Sequence, residues 1–218
     1  MYSIHHFFKK ILFPERCIVC KKDGAPVCDP CIKLLPYTDT IRHHAHYSEY
    51  TLFPYHHKVI KHIIWELKYK NNISLRTRIC EILYVHTQRY LPTGNPVYLF
   101  AIPKSVYTDS KHRDFDHGFL LASAFKTQIE KHTQISLITD CFIKTTVHRQ
   151  AAQKTRTERL KSIKGHIIET PRAKKYHRVV NPVIIIDDVV TTGGTRDEMI
   201  KMVQKHFTGP IIFIALAH

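Results

Sequence analysis

Two adjacent carboxylates, Asp187 and Asp188, stand between four consecutive aliphatic residues and a turn of small and hydroxyl residues. Positions 183–195 read VIIIDDVVTTGGT. The aliphatic run suits a buried parallel strand. After it, Val189, Val190, Thr191, Thr192, Gly193, Gly194 and Thr195 form a loop, and Thr195 with Glu198 fits a helix-opening capping box. Such a loop points backbone N–H groups and the positive end of a helix dipole at one spot, which suits a phosphate. Carboxylates repel phosphate, so these two point to a ligand with hydroxyls beside its phosphate, such as a ribose, or to one arriving with Mg²⁺. The plain alternative is a buried strand and turn with two solvated acids.

A second cluster lies near the N-terminus. Cys17, Cys20, Cys28 and Cys31 form two Cys-x-x-Cys pairs separated by seven residues, while Cys80 and Cys141 show no such spacing. Four thiolates so close in sequence can converge tetrahedrally on one structural Zn²⁺, leaving no open coordination position. Two disulfides compete with this reading.

These groups must be positioned by elements around them. Strands are expected at 97–102, 135–138, 183–186 and 211–217, and helices at 57–69, 75–90 and 195–206, with another from the end of the 111–118 segment to about 131. Residues 32–56 read as a connecting hairpin or loop, with the Arg42 to His46 stretch a solvated basic segment. Trp65 is expected in the core or at a helix interface. Interleaved strands and helices predict an α/β fold with a parallel sheet, whose ligands bind at the carboxyl ends of the strands. Pro103, Lys104 and Ser105 end one strand and the 187–195 segment ends another, so one shared site is expected. The chain divides into 1–45, a four-cysteine module with its linker, and 46–218, the α/β domain.

Composition bounds the partners. The 218 residues carry 33 Lys+Arg against 18 Asp+Glu, a net charge of +15. Such a surplus favours polyanions, either nucleic acid or phosphorylated small molecules, although a solvated basic surface without a partner gives the same count. No run approaches the ~18 to 20 apolar residues of a membrane helix, and the first residues lack a secretory cleavage pattern, so a cytoplasmic protein is expected.

The 183–195 segment resembles the phosphoribosyl pyrophosphate (PRPP) signature of type I phosphoribosyltransferases. More of the chain follows one family's order: the four cysteines, Leu67-Lys68-Tyr69, a strand into Pro103-Lys104-Ser105, Arg113 and Phe115, then the PRPP motif. That order resembles the ComF family of amidophosphoribosyltransferase-like proteins, some of them associated with competence and DNA uptake. Where the family usually reads Arg-Gly-Phe-Asn-Gln, this chain has Arg113-Asp114-Phe115-Asp116-His117. The resemblance implies a type I phosphoribosyltransferase fold and a phosphoribosyl ligand. The 189–195 loop would hold its 5′-phosphate, and Asp187 and Asp188 would accept its ribose hydroxyls. Pro103, Lys104, Ser105 and Arg113 would receive diphosphate, with Mg²⁺. The basic 144–164 segment is a candidate closing loop. The alternative the resemblance implies is a DNA-uptake protein that binds single-stranded DNA and uses the PRPP site as a sensor.

Overall fold

The computed structural model describes residues 15–92, 96–104, 116–145 and 167–218. Their centre is a six-stranded sheet. In chain order its strands are β1 (Thr40–His43), β2 (Ser48–Phe53), β3 (Val97–Ala101) and β4 (Ile135–Ile138), then β7 (Val183–Val189) and β8 (Ile211–Ala217). Spatial order is β1-β2-β8-β7-β3-β4. Only the β1–β2 hairpin is antiparallel; every other neighbouring pair is parallel. Two short strands, β5 (Phe142–Lys144) and β6 (Ile167–Glu169), pair in a separate antiparallel ribbon.

Side-chain alternation along the central strands explains why both faces are covered. Ile184 and Ile186 of β7, with Ile212, Ile214 and Leu216 of β8, join one core with helices α2 (Lys58–Tyr69), α3 (Ile73–Thr87) and α4 (His117–Ile129). Val183 and Ile185, with Ile211, Phe213 and Ala215, join another with α5 (Gly194–Gln204) and the β5–β6 ribbon. The α/β architecture expected from sequence, a mostly parallel sheet flanked by helices, is therefore the one formed. Helix α2 buries Ile60, Ile63, Ile64 and Leu67 at three- and four-residue steps. Helix α3 starts where the Asn72 side chain accepts from Leu75 N, and α4 where Asp116 accepts from Phe119 N, both at 3.0 Å. Gly118 lets α4 approach the end of β3, since a Cβ there would lie 3.0 Å from the Ile102 carbonyl oxygen.

Several sequence expectations change. The hairpin expected within 32–56 forms as β1–β2, but it is not merely a connection: β2 also lies against β8 inside the sheet, with Tyr50, Leu52 and Phe53 buried. Strand β7 continues past Ile186 through both acids. The capping box does not form; α5 begins at Gly194, and its N-cap is Gly193 at φ 75° with no side-chain cap. Trp65 is not a core residue but is 44% exposed on the outside of α2, stacked with His62 and tilted against Tyr69.

The cysteine segment is welded to the same core. Cys17, Val27, Cys31 and Leu35 pack with the α2–α4 side of the sheet, and α1 (Asp29–Ile32) is tied to α3 through the Arg78–Asp29 ion pair. Strand β1 starts at Thr40, ahead of residue 46. Among the described residues no helix is long and apolar enough to cross a membrane.

Candidate functional site

At the carboxyl ends of β3 and β7 the chain leaves a cavity of about 290 Å³. Its walls are the end of β3 with Pro103 and Lys104, the start of α4, Lys144 of β5, and the 187–196 segment. Sequence reasoning thus named residues that do converge: Asp187, Asp188, Val189, Val190, Thr191, Thr192, Gly193, Gly194 and Thr195 share this cavity with Pro103 and Lys104. Ser105 and Arg113, also expected here, lie outside the described residues, as do positions 146–164 of the candidate closing loop.

Consecutive strand residues face opposite sides, so the two acids have different surroundings. Asp188 follows Ile184 and Ile186 onto the α2–α4 side and is 6% exposed. There Lys68 Nζ of α2 lies 3.1 Å from its Oδ1, and His117 Nε2 of α4 lies 3.2 Å from its Oδ2. Burial opposes its charge, but the approach of His117 and the Lys68 ammonium outweigh burial and hold the carboxyl below its ordinary range. Asp187 follows Ile185 toward the α5 side, half-buried, and its Oδ1 accepts from Asp188 N at 2.8 Å. Burial, then the neighbouring Asp188 charge, push Asp187 up to about 7. The two environments thus push the carboxyls apart, Asp188 toward the anion and Asp187 toward the protonated form.

The loop beyond them is fixed from below. Gly193 needs its positive φ, and a Cβ on it would lie 2.5 Å from Arg196 Nη2. The Arg196 guanidinium occupies that space, donating to Glu49 Oε2 of β2 at 2.8 Å and to Asp197 Oδ1 at 2.9 Å. Glu49 is 1% exposed, so this strut is an interior one. Lys144 Nζ donates to Thr195 Oγ1 at 3.1 Å, bringing a cation to the helix start. The helix N-terminus with Lys104 and Lys144 makes this end of the cavity suited to an anion, while the acids suit hydroxyls.

Lys68, His117, Lys144, Glu49 and Arg196 were not assigned site roles from sequence. Lys68 and His117 stood inside quoted segments, Leu67-Lys68-Tyr69 and the altered 113–117 stretch, and that was their only signal. Glu49 had none, because β2 was not recognised as an interior strand.

The second site is the cysteine cluster, about which the chain turns tightly. Lys21 adopts φ 65° and Gly24 φ 126°, and Lys21 N donates to Cys17 O at 2.8 Å. The sulfurs of Cys17, Cys20, Cys28 and Cys31 all lie within 4.8 Å of one another, with Cys20 and Cys28 3.6 Å apart. Tetrahedral metal–thiolate bonds of ~2.3 Å require sulfurs ~3.8 Å apart, so the four can hold one metal ion. Burial disfavours a thiolate at Cys17, yet the backbone N–H groups of Cys20, Cys28 and Val19 prevail and bring it down to about 6. Burial and then the neighbouring thiols push Cys31 up to about 12. Metal binding would displace the remaining protons.

No protein-family model and no curated protein matches the chain. Among solved structures it is similar to adenine phosphoribosyltransferase from Leishmania tarentolae, at 12% identity and a TM-score of 0.39, covering 82% of this chain and 94% of that one. It is likewise similar to adenine phosphoribosyltransferase from Leishmania donovani, at 15% identity and a TM-score of 0.36, over 82% and 86% of the two chains.

Proposed function

We propose that the chain is a PRPP-binding phosphoribosyltransferase of the ComF type, which transfers a phosphoribosyl group and releases diphosphate. The observation that carries this reading is the meeting, in one cavity, of the acid pair, the 191–195 loop opening α5, and Pro103-Lys104 from the neighbouring strand. The loop amides and Thr195 would bind the 5′-phosphate, and the carboxylates would accept the ribose 2′- and 3′-hydroxyls. Their charge would also stabilise the ring as the anomeric bond breaks, as in glycoside hydrolysis. Lys104 would face the departing diphosphate, with Ser105 and Arg113 as further candidates. Mg²⁺ would arrive with the PRPP and add positive charge there. The four-thiolate donor set favours Zn²⁺ in a structural role.

Diphosphate release from PRPP with Mg²⁺, across a panel of nucleobases and amines, tests the reaction. An acceptor that accelerates release in the wild type, but not in Asp187→Ala/Asp188→Ala, supports transfer. PRPP binding without release for any acceptor supports a sensor instead.

A second reading, single-stranded DNA binding, is favoured by one feature. His62, Trp65 and Tyr69 lie along the outside of α2, and Lys70 Nζ is 5.3 Å from the Trp65 ring. Exposed rings beside lysines suit stacking of unpaired bases. Gel shifts at rising salt test it: retention that weakens steeply with salt supports it, and absent or salt-independent retention counts against it.

A further inference from the structure

Adjacent acids invite identical roles, yet among the described residues the close ion pairs are with Asp188. Lys68 from α2 and His117 from α4 meet Asp188 at different oxygens, 3.1 and 3.2 Å away. Only His117 of these two borders the cavity, so Lys68 stands behind Asp188. We infer that Lys68 is a positioning residue which, together with His117, clamps Asp188 as a fixed carboxylate for the sugar of the ligand. Asp187 lies on the opposite face of the strand and accepts from Asp188 N instead.

Three observations support this division. First, the clamp is built from two helices that pack on the same core face, α2 through Ile64 and Leu67 and α4 through Leu121 and Ala122. The carboxylate is therefore gripped from two rigid elements rather than from a loop. Second, the grip is incomplete. His117 Nε2 lies within ion-pair distance of Asp188 Oδ2 but is not aligned to donate to it, so among the described residues Oδ2 and His117 Nδ1 are buried without a well-directed hydrogen-bond partner. A buried carboxylate oxygen with spare accepting capacity is costly unless something donates to it. A ribose hydroxyl has the donor chemistry required; Asp188 lines the cavity, but Oδ2 itself is covered, so the sugar must displace what covers it to reach that oxygen. Third, the Lys68 side chain is itself largely covered, so its ammonium is held near Asp188 rather than screened by bulk water.

This inference rests on the PRPP reading for the identity of the sugar, but not for the clamp itself. The test compares Lys68→Met, Lys68→Arg and His117→Gln with the wild type, using ribose 5-phosphate and inorganic phosphate as probes. Lys68→Met is expected to weaken ribose 5-phosphate by about 10- to 100-fold, the value of a charged hydrogen bond, and to leave inorganic phosphate unchanged. Lys68→Arg is expected to restore most of the loss, because it keeps the charge. His117→Gln is expected to weaken the sugar phosphate less, since Lys68 still holds the other carboxylate oxygen. Equal losses for both probes, or none for either, would overturn the inference. If the wild type binds neither probe, the PRPP reading falls and the clamp is decided in the free chain. Carboxyl ¹³C NMR should then show the Asp188 titration moving to higher pH in Lys68→Met, and an unmoved titration would sink the clamp too.

Discussion

Replacing Asp187 by Asn should make the protein more stable at neutral pH while removing its ligand chemistry. In the folded chain burial, reinforced by the Asp188 charge, raises the Asp187 carboxyl from 3.8 to about 7. The unfolded chain loses that proton near its ordinary value. Between those limits the native state binds more protons, so stability is fully present below about pH 4 and is lost as pH rises through about 7. Roughly three pH units at about 1.36 kcal/mol each set an upper value of about 4 kcal/mol, and the surface that Asp187 keeps toward the cavity lowers this to ~2 to 4 kcal/mol. An Asn amide carries no charge, and its oxygen can still accept from Asp188 N, as Asp187 does at 2.8 Å. Thermal melts of Asp187→Asn and wild type from pH 4 to 9 measure the difference. The variant's advantage should grow from pH 4 to 7, level off above, and reach ~4 °C or more at pH 8. A variant less stable at pH 8, or an advantage independent of pH, would refute the reasoning.

Further outcomes follow from the same geometry. PRPP affinity should rise between pH 6 and 8 with proton release in calorimetry, because its hydroxyls need Asp187 ionised; flat affinity across that range would count against the assignment. Gly193→Ala should cost about 1 to 3 kcal/mol, from its positive φ and the displaced Arg196 guanidinium, and a melt within ~1 °C of wild type would contradict it. Elemental analysis should give close to one zinc per chain. Chelation, or Cys20→Ser, should lower the melting temperature of the whole chain rather than of a detached module, because Cys17 and Cys31 lie in the main core. Two well-separated transitions would argue otherwise.

The legible parts of this chain were those with local signals. The aliphatic run 183–186, the all-apolar β8 and the stepped apolar residues of α2 announced themselves by period. The acid pair and the Cys-x-x-Cys pairs announced themselves by spacing. What stayed hidden was made by distant pairing. Strand β2, SEYTLF, carries Glu49 among its apolar residues and reads as part of a connecting hairpin or loop until β8 is laid beside it. Lys68 and His117 reach Asp188 from positions about 120 and 70 residues earlier, and nothing in either local sequence says that two helices converge there. The capping box failed because Gly193 takes the N-cap in a left-handed conformation, with Arg196 filling the space below it. Trp65 was misplaced because aromatic residues at helical spacing read as core, whereas here they follow the outer edge of α2.

On the proposed function, the cavity between β3 and β7 holds a sugar phosphate bearing diphosphate. Calorimetric titration of PRPP with Mg²⁺ into the full chain tests it most directly. One saturable site per chain, weakened by omitting Mg²⁺ and lost in the folded Asp187→Ala/Asp188→Ala variant, is the predicted result. No binding by folded wild-type protein, or binding that the double variant leaves intact, would contradict it.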